Sequence, residues 1–234
     1  MPSRLLRFGS IHISPSPSLA ALFLLSAIVA PSCAGAQKPR IKPLFEVFGT
    51  FSAPPLAAPV RDAYAFGGGV RVGGGAGLAV GALAGRYEIA GFYEGASSAV
   101  RRPDLSGASR SFGRNAIGLR VESRLVELGR NFGLMASSSL FHQTLERVAI
   151  TVPAPSPGGG ADRVVDVGQR AWGGRVEVGI EHRGFLDTNW FVSSGATMAG
   201  AGTGRWTNVS GPSSARNSIG VTPIITLGVR SRTW

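Results

Sequence analysis

The sequence predicts an all-β fold, an eight-stranded antiparallel transmembrane β-barrel built as an up-and-down meander. Three observations lead there: strand-like alternation along most of the chain, alternating short and long connections, and a glycine content that helices tolerate poorly. The chain has 234 residues with 34 Gly and 15 Pro, yet 44% of residues are apolar and mean hydropathy is +0.16. Each interior Gly costs a helix roughly 0.5–1 kcal/mol relative to Ala, so a helical bundle is excluded. Disorder and collagen are excluded too, by the apolar content and by the lack of a strict Gly period. The formal charge is +11, which raises nucleic acid as a partner until its placement is followed along the chain.

The first 36 residues read as an export signal rather than as part of the fold. Arg4 and Arg7 precede an apolar run from Leu19 to Ala30, and Ala34-Gly35-Ala36 follows it. Basic start, short apolar run and small-residue site together predict a secretory signal peptide, 1–36, cleaved before Gln37. The run is too short for a membrane helix, which needs about 20 residues. Cys33, the single cysteine, lies inside this segment, with lipidation there as a lesser alternative. The mature chain then holds no thiol and no disulfide framework. Residues 37–43 are expected as a short periplasmic segment, and 44–234 as the barrel.

The clearest alternation is Ile117-Gly118-Leu119-Arg120-Val121-Glu122-Ser123-Arg124-Leu125, aliphatic at odd positions and charged at even ones. Arg175 to Glu181 shows the same pattern in opposite phase. Extended along the chain, it gives strands at about 44–51, 63–72, 77–94, 112–128, 132–150, 169–183, 189–200 and 217–233. The third changes phase between Leu78/Val80 and Tyr87/Ile89, which predicts a bulge near Gly81 to Gly85. The connections after strands two, four and six are short (73–76, 129–131, 184–188). Those after one, three, five and seven are long and rich in Pro, Gly, Ser and Arg. This sorting is expected of a membrane barrel with short turns at one end and outer loops at the other. Aromatic residues predict two girdles. Phe45, Phe132, Phe185, Trp190 and Trp234 fall near the short-turn end. Phe51, Tyr64, Tyr93, Phe112, Trp172 and Trp206 fall near the long-loop end.

With signal peptide, eight strands and a last strand at the terminus, the chain resembles the small OmpA/OmpX/OmpW-like outer-membrane barrels of Gram-negative bacteria. The most specific match lies in Thr226-Leu227-Gly228-Val229-Arg230-Ser231-Arg232-Thr233-Trp234. The family's last strand carries a polar-x-Gly-x-x-aromatic-x-aromatic signal read by the barrel-assembly machinery. The resemblance therefore implies that machinery as a partner and Thr226, Gly228 and Trp234 as the assembly signal. Ser231 and Thr233 depart from the pattern. Pro223 is unexpected in a strand without a free edge.

Strand parity alone leaves open which face is inside. If the aliphatic face meets lipid, the inward set is Glu46, Arg71, Arg86, Glu88, Glu94, Arg120, Glu122, Arg124, Arg175, Glu177, Glu181, Arg183, Arg230 and Arg232. That is eight Arg against six Glu. Eight strands enclose a space just wide enough for side chains, so the expectation is a plugged lumen of Arg–Glu pairs. The remaining excess of charge lies in loops and the N-terminal segment. Arg101, Arg102, Arg110 and Arg114 cluster around the second long loop, where two readings stand side by side: contact with lipopolysaccharide phosphates through guanidinium groups, and solvated loop charge. An exported barrel with no nucleic-acid module makes nucleic acid an unlikely partner.

No cofactor or metal site is expected. The mature chain has only His142 and His182, and no Gly run is followed by Lys-Ser/Thr and a helix. His142, Thr144 and Glu146 share one strand face, and lipid A deacylases of this architecture use His, Ser and Glu. The non-enzymatic reading is preferred: membrane structure, or surface interaction and adhesion through four loops. A lipid A-modifying enzyme and a small-solute channel are the alternatives.

Overall fold

The computed structural model describes residues 41–56, 72–101, 109–152, 163–184, 188–199, 203–207 and 220–232. Its strands are β1 (Ile41–Ser52), β2 (Gly73–Ala84), β3 (Tyr87–Arg101), β4 (Ser109–Leu128), β5 (Phe132–Val152), β6 (Arg163–Arg183), β7 (Thr188–Ala199), β8 (Thr203–Thr207) and β9 (Gly220–Arg232). The expected leader 1–36 with Cys33, most of the expected strand 63–72, and Trp234 lie outside the described residues. β1 begins at Ile41, so 41–43 belong to the barrel rather than to a preceding segment.

All ladders are antiparallel. Successive strands from β1 to β7 pair, β7 pairs β9, and β1 pairs both β2 and β9, which closes the sheet on itself. β8 continues the place of β7 along β6: β7 lies opposite Gly173–Arg183, and β8 opposite Asp166–Arg170. Nine segments therefore fill eight positions. A cross-strand row that leaves β1 at Lys42 passes through Leu83, Glu88, Glu122, Ser137, Glu177, Gly195 and Ile224. It returns to β1 at Ser52. That stagger is the strand tilt a closed barrel needs.

Burial follows parity. On β1 the even positions from Leu44 to Ser52 are buried while Phe45, Val47 and Phe51 stand outside. The side-chain period of two places the polar, charged or small-residue face inward and the aliphatic face outward on the described side chains of β2 to β7 and β9 as well.

Two adjacent expected strands are corrected. The phase change near Gly81 to Gly85 is a hairpin rather than a bulge: Ala84 pairs Tyr87, leaving Gly85 and Arg86 as a two-residue turn. Gly85 has φ +63°, the left-handed region that the primed hairpin turns require at that position. The glycines 73–75, expected as a turn, open β2 instead. Two of them lie where β3 comes too close for a Cβ: one added at Gly73 would lie 2.1 Å from the Ser97 carbonyl oxygen, and one at Gly75 2.7 Å from Ala96. β1 accordingly ends at Ser52 and β2 begins at Gly73. The shift leaves the count of eight intact. The turn at 129–131 falls where the sequence places it, Gly129 having φ +73°, while most of the expected turn 184–188 lies outside the described residues. Pro223 is outward on β9 opposite Ala196, one residue beyond the last β1–β9 pair, Ser52–Ile224. A missing N–H is tolerated there because one flank has no ladder partner.

A Cβ at Gly85 meets nothing within 4 Å, so the cost of Gly85→Ala is purely conformational, about 1–2 kcal/mol. Urea titration of the refolded barrel, followed by gel mobility, is expected to show a lower midpoint of that size, with Gly85→Asn less affected.

Candidate functional site: a charged and aromatic lumen

The inward residues form successive layers. Nearest the short turns, two guanidinium groups bridge three carboxylates. Arg120 donates to both oxygens of Glu46 at 2.6 Å and to Glu88 at 2.8 Å. Arg230 donates to Glu122 at 2.5 Å and to Glu88 at 3.0 Å, with its Nε 3.2 Å from Glu46. These residues come from β1, β3, β4 and β9, so the network ties strands across the ring. Beside it, Glu181 accepts from Arg124 and Asn189, each at 3.0 Å. The planar fork of Arg suits such shared carboxylates, and removing one member leaves its partners as uncompensated buried charges.

Above this network lies an aromatic layer. Phe48 and Phe92, and Phe92 and Phe141, meet edge to face with centroids 6.4 Å apart. The Arg230 guanidinium lies 4.1 Å from the Phe191 ring centre. Glycines opposite these rings make the room: a Cβ at Gly77 would fall 2.3 Å from Phe48, and one at Gly173 2.5 Å from Phe141.

A second charge cluster follows towards the long loops. Glu94 pairs with Arg114 and with Arg175 at 2.6 Å, and accepts from the Thr50 hydroxyl at 3.1 Å. Arg175 also lies 5.8 and 5.7 Å from the Phe92 and Phe141 ring centres, joining the cluster to the aromatic layer. Glu177 differs from the other lumen carboxylates: its Oε1 accepts from Ser193 at 2.9 Å and Thr226 at 2.6 Å. The long-loop mouth is covered by the chain leaving β1. Pro54, Pro55 and Leu56 are buried, the Pro55 carbonyl accepts from Gln143 at 3.0 Å, and Leu56 lies over Gly220.

Of the expected inward set, the structure places Glu46, Glu88, Glu94, Arg120, Glu122, Arg175, Glu177, Glu181 and Arg230 in the lumen, and Arg124 at its short-turn rim. Arg86 and Arg183 are corrected. Arg86 occupies the β2–β3 turn, exposed, with its guanidinium against Tyr87. Arg183 is 44% exposed at the barrel end, 3.7 Å from Glu127. Arg71 lies outside the described residues, as does the Arg232 side chain, although that residue is in β9.

Arg114 is corrected in the other direction. Expected to face lipopolysaccharide from a loop, it is a buried β4 residue pairing with Glu94. The signal was present in the sequence, since Phe112, Arg114, Ala116 and Gly118 continue the parity of Arg120 and Glu122. Phe112 turns inward for the same reason and leaves the expected girdle. Arg101 and Arg110 fall at the ends of β3 and β4 with side chains outside the described residues, as is Arg102. Thr226 and Gly228 face the lumen, Gly228 against Phe191.

On the outer surface, His142 packs its ring edge-on to Trp172, centroids 5.4 Å apart, and Glu146 accepts the Gly113 N–H at 3.0 Å. The imidazole and the carboxylate thus engage neighbours on opposite sides of β5. Among the described residues, no group of three or more His, Cys, Asp or Glu is placed to hold a metal.

No family profile and no curated protein sequence matches this chain. Among solved structures it is similar to Neisserial surface protein A (NspA), with a TM-score of 0.51 and 11% identity over 83% of this chain and 99% of that one. The two share the closed eight-stranded meander. The N-terminal β-barrel domain of Pseudomonas aeruginosa OprF also aligns, over 82% of this chain and 98% of that one, at 14% identity and a TM-score of 0.37.

Arg230→Met would leave Glu46, Glu88 and Glu122 short of a cation. Breaking a buried pair in this way costs about 3–5 kcal/mol. Urea unfolding of refolded barrels is expected to show that loss, with part of it recovered in Arg230→Met/Glu122→Gln.

Proposed function

We propose that this chain is an exported, non-enzymatic β-barrel of a bacterial outer membrane that acts in membrane structure or in surface contact through its long connections. The observation that carries the reading is an inverted polarity. Ile117 and Leu119 are each 63% exposed on the outside, Trp190 61%, while Arg230 and Glu88 are almost fully buried within. Apolar area is disfavoured in water by about 25 cal/mol per Å², so an outer wall of this kind belongs in lipid. Closure supports the same reading, because in lipid every backbone polar group must find an internal partner. Exposed Phe45, Phe132 and Trp190 near the short turns, and Phe51, Tyr93 and Trp172 near the long loops, suit the two interfaces.

Export rests on the proposed leader 1–36, and membrane insertion on the terminal signal that includes Thr226, Gly228 and Trp234. The layered filling of the lumen and the Pro54–Leu56 cover favour a barrel that passes no solute. The separate engagements of His142 and Glu146 favour a non-enzymatic role over lipid A deacylation. A surface role, as in the name of NspA, is the function proposed for the loops.

Cell fractionation should recover the chain in the outer membrane, with a gel mobility that changes on heating; recovery from the soluble periplasm would overturn the proposal. Planar bilayers holding the refolded barrel are expected to show no discrete conductance steps. Mass profiles of lipid A should be the same with the wild type and with His142→Ala, and an acyl chain lost only with the wild type would establish the enzymatic alternative.

A further inference from the structure

The outward faces of β3 to β6 carry a sharp change of polarity. The row Gly91, Leu119, Leu140, Gly174 is apolar, and the next row towards the long loops holds Tyr93, Ile117, His142 and Trp172. One row further come Gly95, Asn115, Thr144 and Arg170. An aliphatic belt thus gives way to aromatic and then to hydrogen-bonding side chains within two rows, as expected where acyl chains end and headgroups begin.

The two sides of this band differ. Towards β4 the polar groups satisfy one another: the Tyr93 hydroxyl donates to Asn115 at 2.9 Å, and Glu146 turns its carboxylate to the Gly113 N–H. Towards β6, Arg170 is exposed and has no ion pair among the described residues. Thr144 is its direct cross-strand partner, and two residues along β6 lies Trp172, 62% exposed and braced edge-on by His142. A guanidinium without a counter-charge among the described residues therefore stands on the outer wall beside a hydroxyl and above a broad indole face.

We infer that Arg170, Thr144 and Trp172 form a binding site on the barrel wall for a phosphorylated glycolipid. The guanidinium takes the headgroup phosphate through paired N–H donors, and the Thr144 hydroxyl adds a donor beside it. The indole offers an apolar face to the junction of sugar and acyl chain and an N–H at its polar edge. The inference rests on the outer-membrane reading, in which the long loops and this band face the cell surface. It moves the expected lipopolysaccharide contact from the loop arginines, one of which is in the lumen, to the wall between β5 and β6.

The test is native mass spectrometry of the refolded full-length barrel titrated with diphosphorylated lipid A, dephosphorylated lipid A or phosphatidylglycerol. Wild type is expected to prefer the diphosphorylated form by about tenfold, the scale of one charge-assisted contact. Arg170→Gln should reduce it to the dephosphorylated level, and Trp172→Ala should weaken both glycolipids. Arg183→Gln, at the opposite end of the barrel, should change neither. Equal binding by wild type and Arg170→Gln, or phosphatidylglycerol binding as tightly as diphosphorylated lipid A, would overturn the site. Heat-dependent gel mobility reports whether each variant is a folded barrel, and fractionation reports location independently. A folded, outer-membrane chain without the preference therefore defeats the site alone.

Discussion

The ladder that joins β1 to β9, from the Leu44–Arg232 pair to the Ser52–Ile224 pair, turns an open sheet into a ring without a free edge. Most other features depend on that closure. It assigns one parity of every strand to a narrow interior and the other to the surroundings. It also makes β9 a neighbour of β1 across almost the whole length of the chain. Arg230 reaches Glu122 of β4 and Glu46 of β1 only because the ring is complete. Ladder and ion network are therefore coupled: closure brings the charges together, and their pairing holds the strands that close.

The interior sets a second condition. Eight strands leave little space, and large side chains on one strand must face small ones on the next. Gly77 and Gly228 beside Phe48 and Phe191, and Gly173 beside Phe141, meet that condition. Charge follows the same logic. Glu46, Glu88 and Glu122 share two guanidinium groups and Glu94 takes two of its own, while Glu177 accepts from two hydroxyls; an aromatic layer stands between the two charge clusters, with Arg175 and Arg230 against its rings. Buried ion pairs are a weak source of net stability, but a shared network penalises any misregistered arrangement that strands one of its members.

Legibility in the sequence varied with the regularity of the strands. β4 and β6 carry large aliphatic residues against Arg and Glu, and their faces are plain from parity. β2, read as GGGAGLAVGALA, has almost no contrast between its faces, so the hairpin at Gly85–Arg86 looked like a phase slip within one strand. Arg114 and Phe112 were assigned by nearness to a loop, although their parity already matched Arg120. Pro223 had no rationale along the chain and has one in the sheet, where β1 leaves the ladder.

By itself the sequence determined the fold class, the number of strands and which residues share a strand face, because alternation is a local property and a period of two survives without tertiary information; closure of the ring decided that the charged face is the inner one. Tertiary structure alone decided which carboxylate meets which arginine, which glycine faces which phenylalanine, and that Pro54–Leu56 covers the mouth. Those pairings join residues as far apart in sequence as Glu88 and Arg230. They are set by the stagger of the closed ring, which no single strand encodes.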